Sequence, residues 1–265
     1  MTPDLLGDHP EHSWVVGTAK GDGVFSILER LESLGAKLSV VDAATSGKKM
    51  NDAPRQASEI VAAAKYLKAG QMALVTFALG TNDLCDDPKT SPRSFEANLR
   101  LAVQILRDGL PSGSRILMVS VPDFSHFRQV TQANAEAKAA LAMRQNSRRC
   151  APFLGYDSPT DIPTAQQILS SYDSILVSVF DDIQTQDGAS GRLFCRSNRT
   201  SLADTDFSIR DLSKVDFFHP SLTGQAKMAN AAWSAGFWGT IQFAARNSGV
   251  VSTTGLPPST SRLAV

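Results

Sequence analysis

From about residue 14 onward, short apolar runs alternate with longer amphipathic ones. Over Val24 to Leu34 the apolar positions Phe25, Ile27, Leu28, Leu31 and Leu34 recur every three or four residues. That is the spacing of one helix face, and Gly35 ends it. Lys37 to Ala43 reads as a strand, Ala53 to Leu67 as an Ala-rich helix, and Met72 to Leu79 as a continuous apolar run of strand length. Ser94 to Leu110 sets Phe95, Leu99, Val103, Leu106 and Leu110 on one face, then breaks at Pro111 and Gly113; Ile116 to Val121 is another apolar strand. Strands without polar alternation, separated by helices, predict an α/β fold whose parallel sheet is covered on both faces.

Beyond residue 121 the pattern weakens. Asn134 to Gln145 reads as a helix, and Leu154 to Thr164, with Pro159 and Pro163, as a loop. Ala165 to Ile183 has helical spacing, although Ile175 to Phe180 also fits a strand. Leu222 to Phe237 predicts a final helix. Asn247 to Val265 is rich in Ser, Thr and Pro with little to bury, so residues 1–246 are expected to form one domain and 247–265 a flexible tail.

Composition narrows the function classes. Zero formal net charge supplies no global field for nucleic acid, so no nucleic-acid partner and a monomer are expected. No apolar run approaches the roughly 18 residues of a membrane span. The residues after Met1 lack a basic start and an apolar stretch, so no signal peptide is visible. Cys85, Cys150 and Cys195 lack the close pairing of zinc ligands, so no metal is expected; the count allows one disulfide, with Cys85 and Cys150 as a possible pair in an exported protein. Asn198-Arg199-Thr200 fits a glycosylation acceptor.

Three short runs carry candidate chemistry. Asp216-Phe217-Phe218-His219-Pro220 places a carboxylate three residues before one of only four histidines. An Asp holds an imidazole in one tautomer and stabilises its charged form, which suits the His to activate a nucleophile. Gly80-Thr81-Asn82-Asp83 follows the strand at 72–79, at the end of a parallel strand where ligands bind. A side-chain amide there can stabilise an oxyanion; equally, Asn82 and Asp83 suit a turn. Ala43-Ala44-Thr45-Ser46-Gly47 follows the strand at 37–43, and its Gly allows close approach of a backbone N–H, or serves an ordinary turn.

Together these runs resemble the SGNH (GDSL-like) hydrolase family, whose motifs are a Gly-Asp-Ser block, a Gly block, a Gly-x-Asn-Asp block and an Asp-x-x-His block. Gly47, Gly80 to Asp83, and Asp216 to His219 match three of the four. His12-Ser13-Trp14, Gln56-Ala57, Asp83-Leu84-Cys85, Ser120 to Asp123 and Gly224-Gln225 resemble the phospholipase B-like and bacterial esterase branches, over about residues 11 to 240. The resemblance implies a three-layer sandwich with flavodoxin-like strand order. It implies His219 as general base, Asp216 as its orienting acid, and Asn82 and Gly47 as oxyanion donors. The implied reaction is cofactor-free hydrolysis of a lipid or other acyl ester through a serine acyl-enzyme.

The first block is where the chain departs. The family's serine follows Gly-Asp at the end of the first strand, a point that falls ahead of Met1. Gly7-Asp8-His9 echoes the block with His in place of Ser; Ser13 lacks a preceding apolar strand, and Ser26 reads as a helix-surface hydroxyl. The nucleophile is therefore unassigned. The first strand is expected to be missing, which would leave its neighbours with unpaired edges. Three explanations stand: a start upstream of Met1, which also accounts for the absent export signal; a chain without turnover; or a local serine serving in its place. Two rival readings stand beside this one. Trp14-Val15-Val16 followed by Gly17-x-x-x-Gly21-x-Gly23, a helix and Asp42 resembles the nucleotide loop of short-chain dehydrogenases. That family's Tyr four residues before a Lys is lacking: Tyr66, Tyr156 and Tyr172 precede Gly70, Thr160 and Leu176. The second rival is a non-catalytic ligand-binding module on the same esterase fold.

Overall fold

Two of the apolar runs become strands, and a third strand joins them further along the chain, because each has a neighbour to pair with. In the computed structural model, which describes residues 8–85, 88–143, 150, 161–198 and 202–238, β1 (Leu74–Phe77) pairs in parallel with β2 (Ser114–Val119), and β2 with β3 (Leu193–Asn198). The sheet order is β1-β2-β3. Helices follow in the sequence α1 (Ile27–Ser33), α2 (Ala53–Ala64), α3 (Thr81–Cys85), α4 (Pro92–Gly109), α5 (Phe124–Gln132), α6 (Ala135–Ala142), α7 (Asp161–Asp187) and α8 (Leu222–Ala235).

Strand side chains alternate between two cores, and this makes the fold three layers. Val75, Phe77, Ile116, Met118, Leu193 and Cys195 face the larger core with α2, α4 and α7. Leu74, Leu117, Val119 and Phe194 face the other way, against Trp14, α1 and α8. The larger core is locked by Phe95 of α4 stacked on Tyr172 of α7, with ring centroids 4.0 Å apart. Such a pair contributes about 0.5–1.5 kcal/mol beyond its buried area. The Tyr172 hydroxyl donates to the Thr90 carbonyl. Cys85 and Cys150 are disulfide-bonded, and Cys195 is a buried free thiol.

Several expectations need correction. Residues 37–43 are not a strand: 36–45 carry no regular structure and pair with nothing in the sheet. Strand geometry is sustained by its ladder, and β1, the nearest edge in chain order, is bonded on its β2 side only. Ile175 to Phe180 is helical, in the middle of α7. β3 was not anticipated: only Leu193, Phe194 and Cys195 mark it, between Arg192 and Arg196. His126 lies on α5, its Nε2 at 2.7 Å from the Phe207 carbonyl. Ser26 is no surface hydroxyl but the buried cap of α1, accepting from Glu29 N and donating to the Gly17 carbonyl. The tail at 247–265 and the Arg199-Thr200 part of the glycosylation acceptor fall outside the described residues.

Candidate active site

The Asp216–His219 couple sits in a loop closed at its base by local hydrogen bonds. Leu212 and Pro220 form an antiparallel bridge, and the Ser213 N–H donates to the His219 carbonyl at 2.7 Å. Phe217 N–H donates to the Ser213 carbonyl, with Phe217 itself in the left-handed region at φ 54°. A non-Gly residue holds that conformation only when its surroundings fix it. Here the Phe217 ring is buried against Ala137, Leu141 and Ile209. Neighbouring Phe218 packs against the main core and sets its ring edge-on to His219, centroids 5.0 Å apart.

This strained turn folds Asp216 back on its own loop. Oδ1 accepts from the N–H groups of Phe218 and His219, each at 3.0 Å, and Oδ2 lies 2.5 Å from His219 Nδ1. Burial alone would raise the Asp216 pKa, but the His219 bond and charge and the two backbone donors outweigh it and hold the carboxyl below its ordinary value. An ionised carboxylate facing Nδ1 requires the proton there, which leaves Nε2 as the ring's acceptor. The loop's base is clamped as well. Ser221 N–H donates to the Asp211 carbonyl at 2.8 Å, and Ser221 and Thr223 hydroxyls donate to the Arg210 carbonyl. Gly224 abuts the Asp211 carbonyl so closely that a Cβ would collide with it.

Asn82 and Gly47 are drawn together at the carboxyl end of β1. Gly80, at φ +133° and against Val121, lets the chain turn from β1 into α3. Asn82 then donates its side-chain amide to the Lys48 carbonyl at 3.0 Å, and buried Asp83 accepts from the Met50 N–H at 2.9 Å. Burial raises the Asp83 pKa. Gly47, one residue before Lys48, is exposed in a turn at φ +76°. Thus the four nominated residues form two local pairs, Asn82 beside the Gly47–Lys48 turn and Asp216 on His219. Among the described residues no hydrogen bond links one pair to the other.

The serines nearest the expected first block have other partners. Ser13 Oγ accepts from the Val15 N–H, and Ser46 Oγ donates to the Asp8 carboxylate. Among the described residues no serine hydroxyl bonds the His219 ring. The Asp8–Ser46 contact was not foreseen; Asp8 and Ser46 lie far apart in sequence, and only the three-dimensional fold juxtaposes them. Trp14 to Val16 form a turn rather than a strand, so the glycines that follow lack the strand a nucleotide loop needs. Trp14 N–H instead donates to Gln225 Oε1 of α8.

A cavity of about 500 Å³ lies along β1, lined by Val75 to Leu79, by Val41 to Ser46, by Asp8 to Pro10, by Ser13 to Val16 and by α2. None of Gly47, Asn82, Asp216 or His219 lines it. Among the described residues, no group of three or more His, Cys, Asp and Glu is placed to hold a metal, and no helix is long and apolar enough to cross a membrane. A family model for GDSL-like Lipase/Acylhydrolase matches residues 19–232. No curated protein matches the chain.

Proposed function

The chain belongs to the GDSL-like lipase/acylhydrolase family, and from that premise we propose that it acts on acyl esters through the Asp216–His219 couple. The observation that carries this reading is the 2.5 Å bond between Asp216 Oδ2 and His219 Nδ1, which in the neutral ring makes Nε2 the acceptor, with 36% of the His219 side chain exposed. His219 takes a proton from the attacking hydroxyl and returns it to the leaving alcohol. Asp216 stabilises the imidazolium between those steps. Asn82, with one amide hydrogen on Lys48, offers its second to the developing oxyanion, and the Gly47 N–H is the partner donor. Lipid or phospholipid esters are favoured over acetylated sugars, with no cofactor. The domain is residues 1–246.

The acyl-enzyme route needs a serine within reach of Nε2, and this decides the experiment. A fluorophosphonate probe is applied to the folded protein and to His219→Ala, with p-nitrophenyl esters of several chain lengths as substrates. Labelling on a serine, together with turnover that His219→Ala or Asp216→Asn lowers on the order of 1000-fold, is the expected result. Equal turnover in wild type and mutants would overturn the assignment of the couple. That no serine among the described residues bonds His219 favours a second reading, a ligand-binding module on the esterase fold. No labelling, with retained binding of an acyl ester, supports that reading instead.

A further inference from the structure

The turn that carries Gly47 is held by two adjacent side chains of α3. Asn82 donates to the Lys48 carbonyl at 3.0 Å, and Asp83 Oδ2 accepts from the Met50 N–H at 2.9 Å. Between them, Asp52 Oδ2 accepts from the Lys49 N–H at 3.1 Å. Two successive peptide planes, 48–49 and 49–50, are thereby fixed. Gly47 itself is exposed, with open space where a Cβ would stand, and the Lys48 N–H reaches the Thr45 carbonyl only at 3.3 Å. The direction of the Gly47 N–H is thus set by the planes that follow it.

Asp83 occupies a place where packing alone favours an apolar side chain. It is fully buried, and its Oδ1 has no hydrogen-bond partner. A carboxylate so placed is destabilised, and burial raises its pKa, although the nearby Thr90 side chain, the Met50 N–H and the Lys49 charge pull the other way. Stability does not account for such a residue. What a carboxylate adds here is a charge-assisted hold on the Met50 N–H, stronger than a neutral acceptor gives. The titratable groups that face it are Lys49 on the turn and Tyr172 on α7, whose hydroxyl pKa is raised by burial and by the Asp83 charge. We propose, resting on the reading of Gly47 as an oxyanion donor, that Asp83 is a positioning residue: with Asn82 it clamps residues 48–50 and so aims the Gly47 N–H. Protonation of Asp83 weakens the clamp, and the turn relaxes as pH falls.

The test follows the Met50 and Gly47 amide signals of the full chain by NMR as pH is lowered from 8 to 3. Both are expected to move together, with one midpoint above the ordinary carboxylate range, and Asp83→Asn abolishes the movement at Gly47. A plain structural anchor would shift Met50 alone. Asp52 gives the contrasting signature: burial raises its pKa, but the Lys49 N–H and Lys48 outweigh that and hold it below the ordinary value. A Gly47 signal that stays still while Met50 titrates, or that moves with the low midpoint of Asp52, would overturn the proposal, and neither result depends on a variant folding. Turnover of p-nitrophenyl acetate supplies a second readout. Asp83→Asn should lower kcat on the order of 10- to 100-fold, short of the ~100–1000-fold for deleting an oxyanion donor, with KM within about twofold. An unchanged kcat, or a loss confined to KM, would likewise overturn it. A wild type without turnover counts against the hydrolase reading, and the Gly47 titration then decides alone whether Asp83 sets the turn.

Discussion

Replacing Lys227 by Met tests how firmly the Asp216–His219 loop is anchored. Lys227 Nζ lies 2.6 Å from Asp211 Oδ2 and 2.7 Å from the Asp206 carbonyl. The Asp211 side chain is only 4% exposed, whereas that of Lys227 is 40% exposed. Met keeps the apolar stem and removes the charge. Breaking a fully buried pair costs about 3–5 kcal/mol, and an exposed pair contributes about 0–1. Asp211 keeps the Ser208 N–H and hydroxyl as donors after the change, and water reaches the lysine end. The expected loss is therefore about 1.5–3 kcal/mol. In urea unfolding at pH 7 that lowers the midpoint by about 0.5–1.5 M, for a slope on the order of 2–3 kcal/mol/M. The pH dependence follows from Asp211. Burial raises its pKa, but Lys227 and Ser208 more than offset this, so its folded value lies below its unfolded one. Its contribution is complete above the ordinary carboxylate range and declines as pH falls through the lower folded value. The gap between wild type and Lys227→Met should thus shrink toward pH 3. A loss below 0.5 kcal/mol at pH 7 (a bound set by the ~0.2–1 kcal/mol of exposed pairs), or an undiminished gap at pH 3, would refute the reasoning.

Three further outcomes are expected. Cys150→Ser should destabilise the protein by about 4 kcal/mol, because the Cys85–Cys150 bridge closes a separation of 65 residues; thiol titration of unreduced, unfolded protein should find one thiol, Cys195. Gly224→Ala drives a methyl into the Asp211 carbonyl and should cost about 1–3 kcal/mol by urea unfolding. Burial, with the nearby Asp123 charge adding to it, pushes the Asp173 carboxyl up to about 6 against the Val121 N–H. A raised carboxyl leaves stability unchanged below its ordinary unfolded value and lowers it progressively as pH rises from there through about 6, so Asp173→Asn should raise Tm at pH 7 and give no gain at pH 4.

Legibility of the fold followed local strength of signal. α4 was readable because five large apolar residues recur on one face, although its start at Pro92, capped by Ser91, was not. β1 and β2 were readable as apolar runs buried on both faces. β3 was not, because Arg192 and Arg196 interrupt a run of only three apolar residues, and its strand state comes from docking on β2. Residues 37–43 fail in the opposite sense. Lys37, Leu38, Ser39, Val40 and Val41 have strand character, yet among the described residues none pairs with them in a ladder, and Val40 ends up exposed. In the candidate site, Asp216 and His219 were legible because a three-residue spacing survives any tertiary change. The Phe217 turn that folds one onto the other was not, since a left-handed phenylalanine leaves no mark in sequence.

The two halves of the site consequently rest on different supports. The Asp216–His219 pair hangs from Asp211, Ser221 and Gly224, all within fourteen residues of one another, and from the rings of Phe217 and Phe218. None of these contacts involves the free edge of β1. Asn82 and the Gly47–Lys48 turn, in contrast, hold each other directly beyond that edge, and residues 36–45, which lead into the turn, have no ladder of their own. Replacing Asn82 by Ala, which removes the amide from the Lys48 carbonyl, therefore bears on the Gly47–Lys48 turn far more than on His219. In Asn82→Ala, amide exchange should quicken at residues 46–50 and stay unchanged at residues 212–220; equal quickening in both regions would mean that the two halves share one support after all.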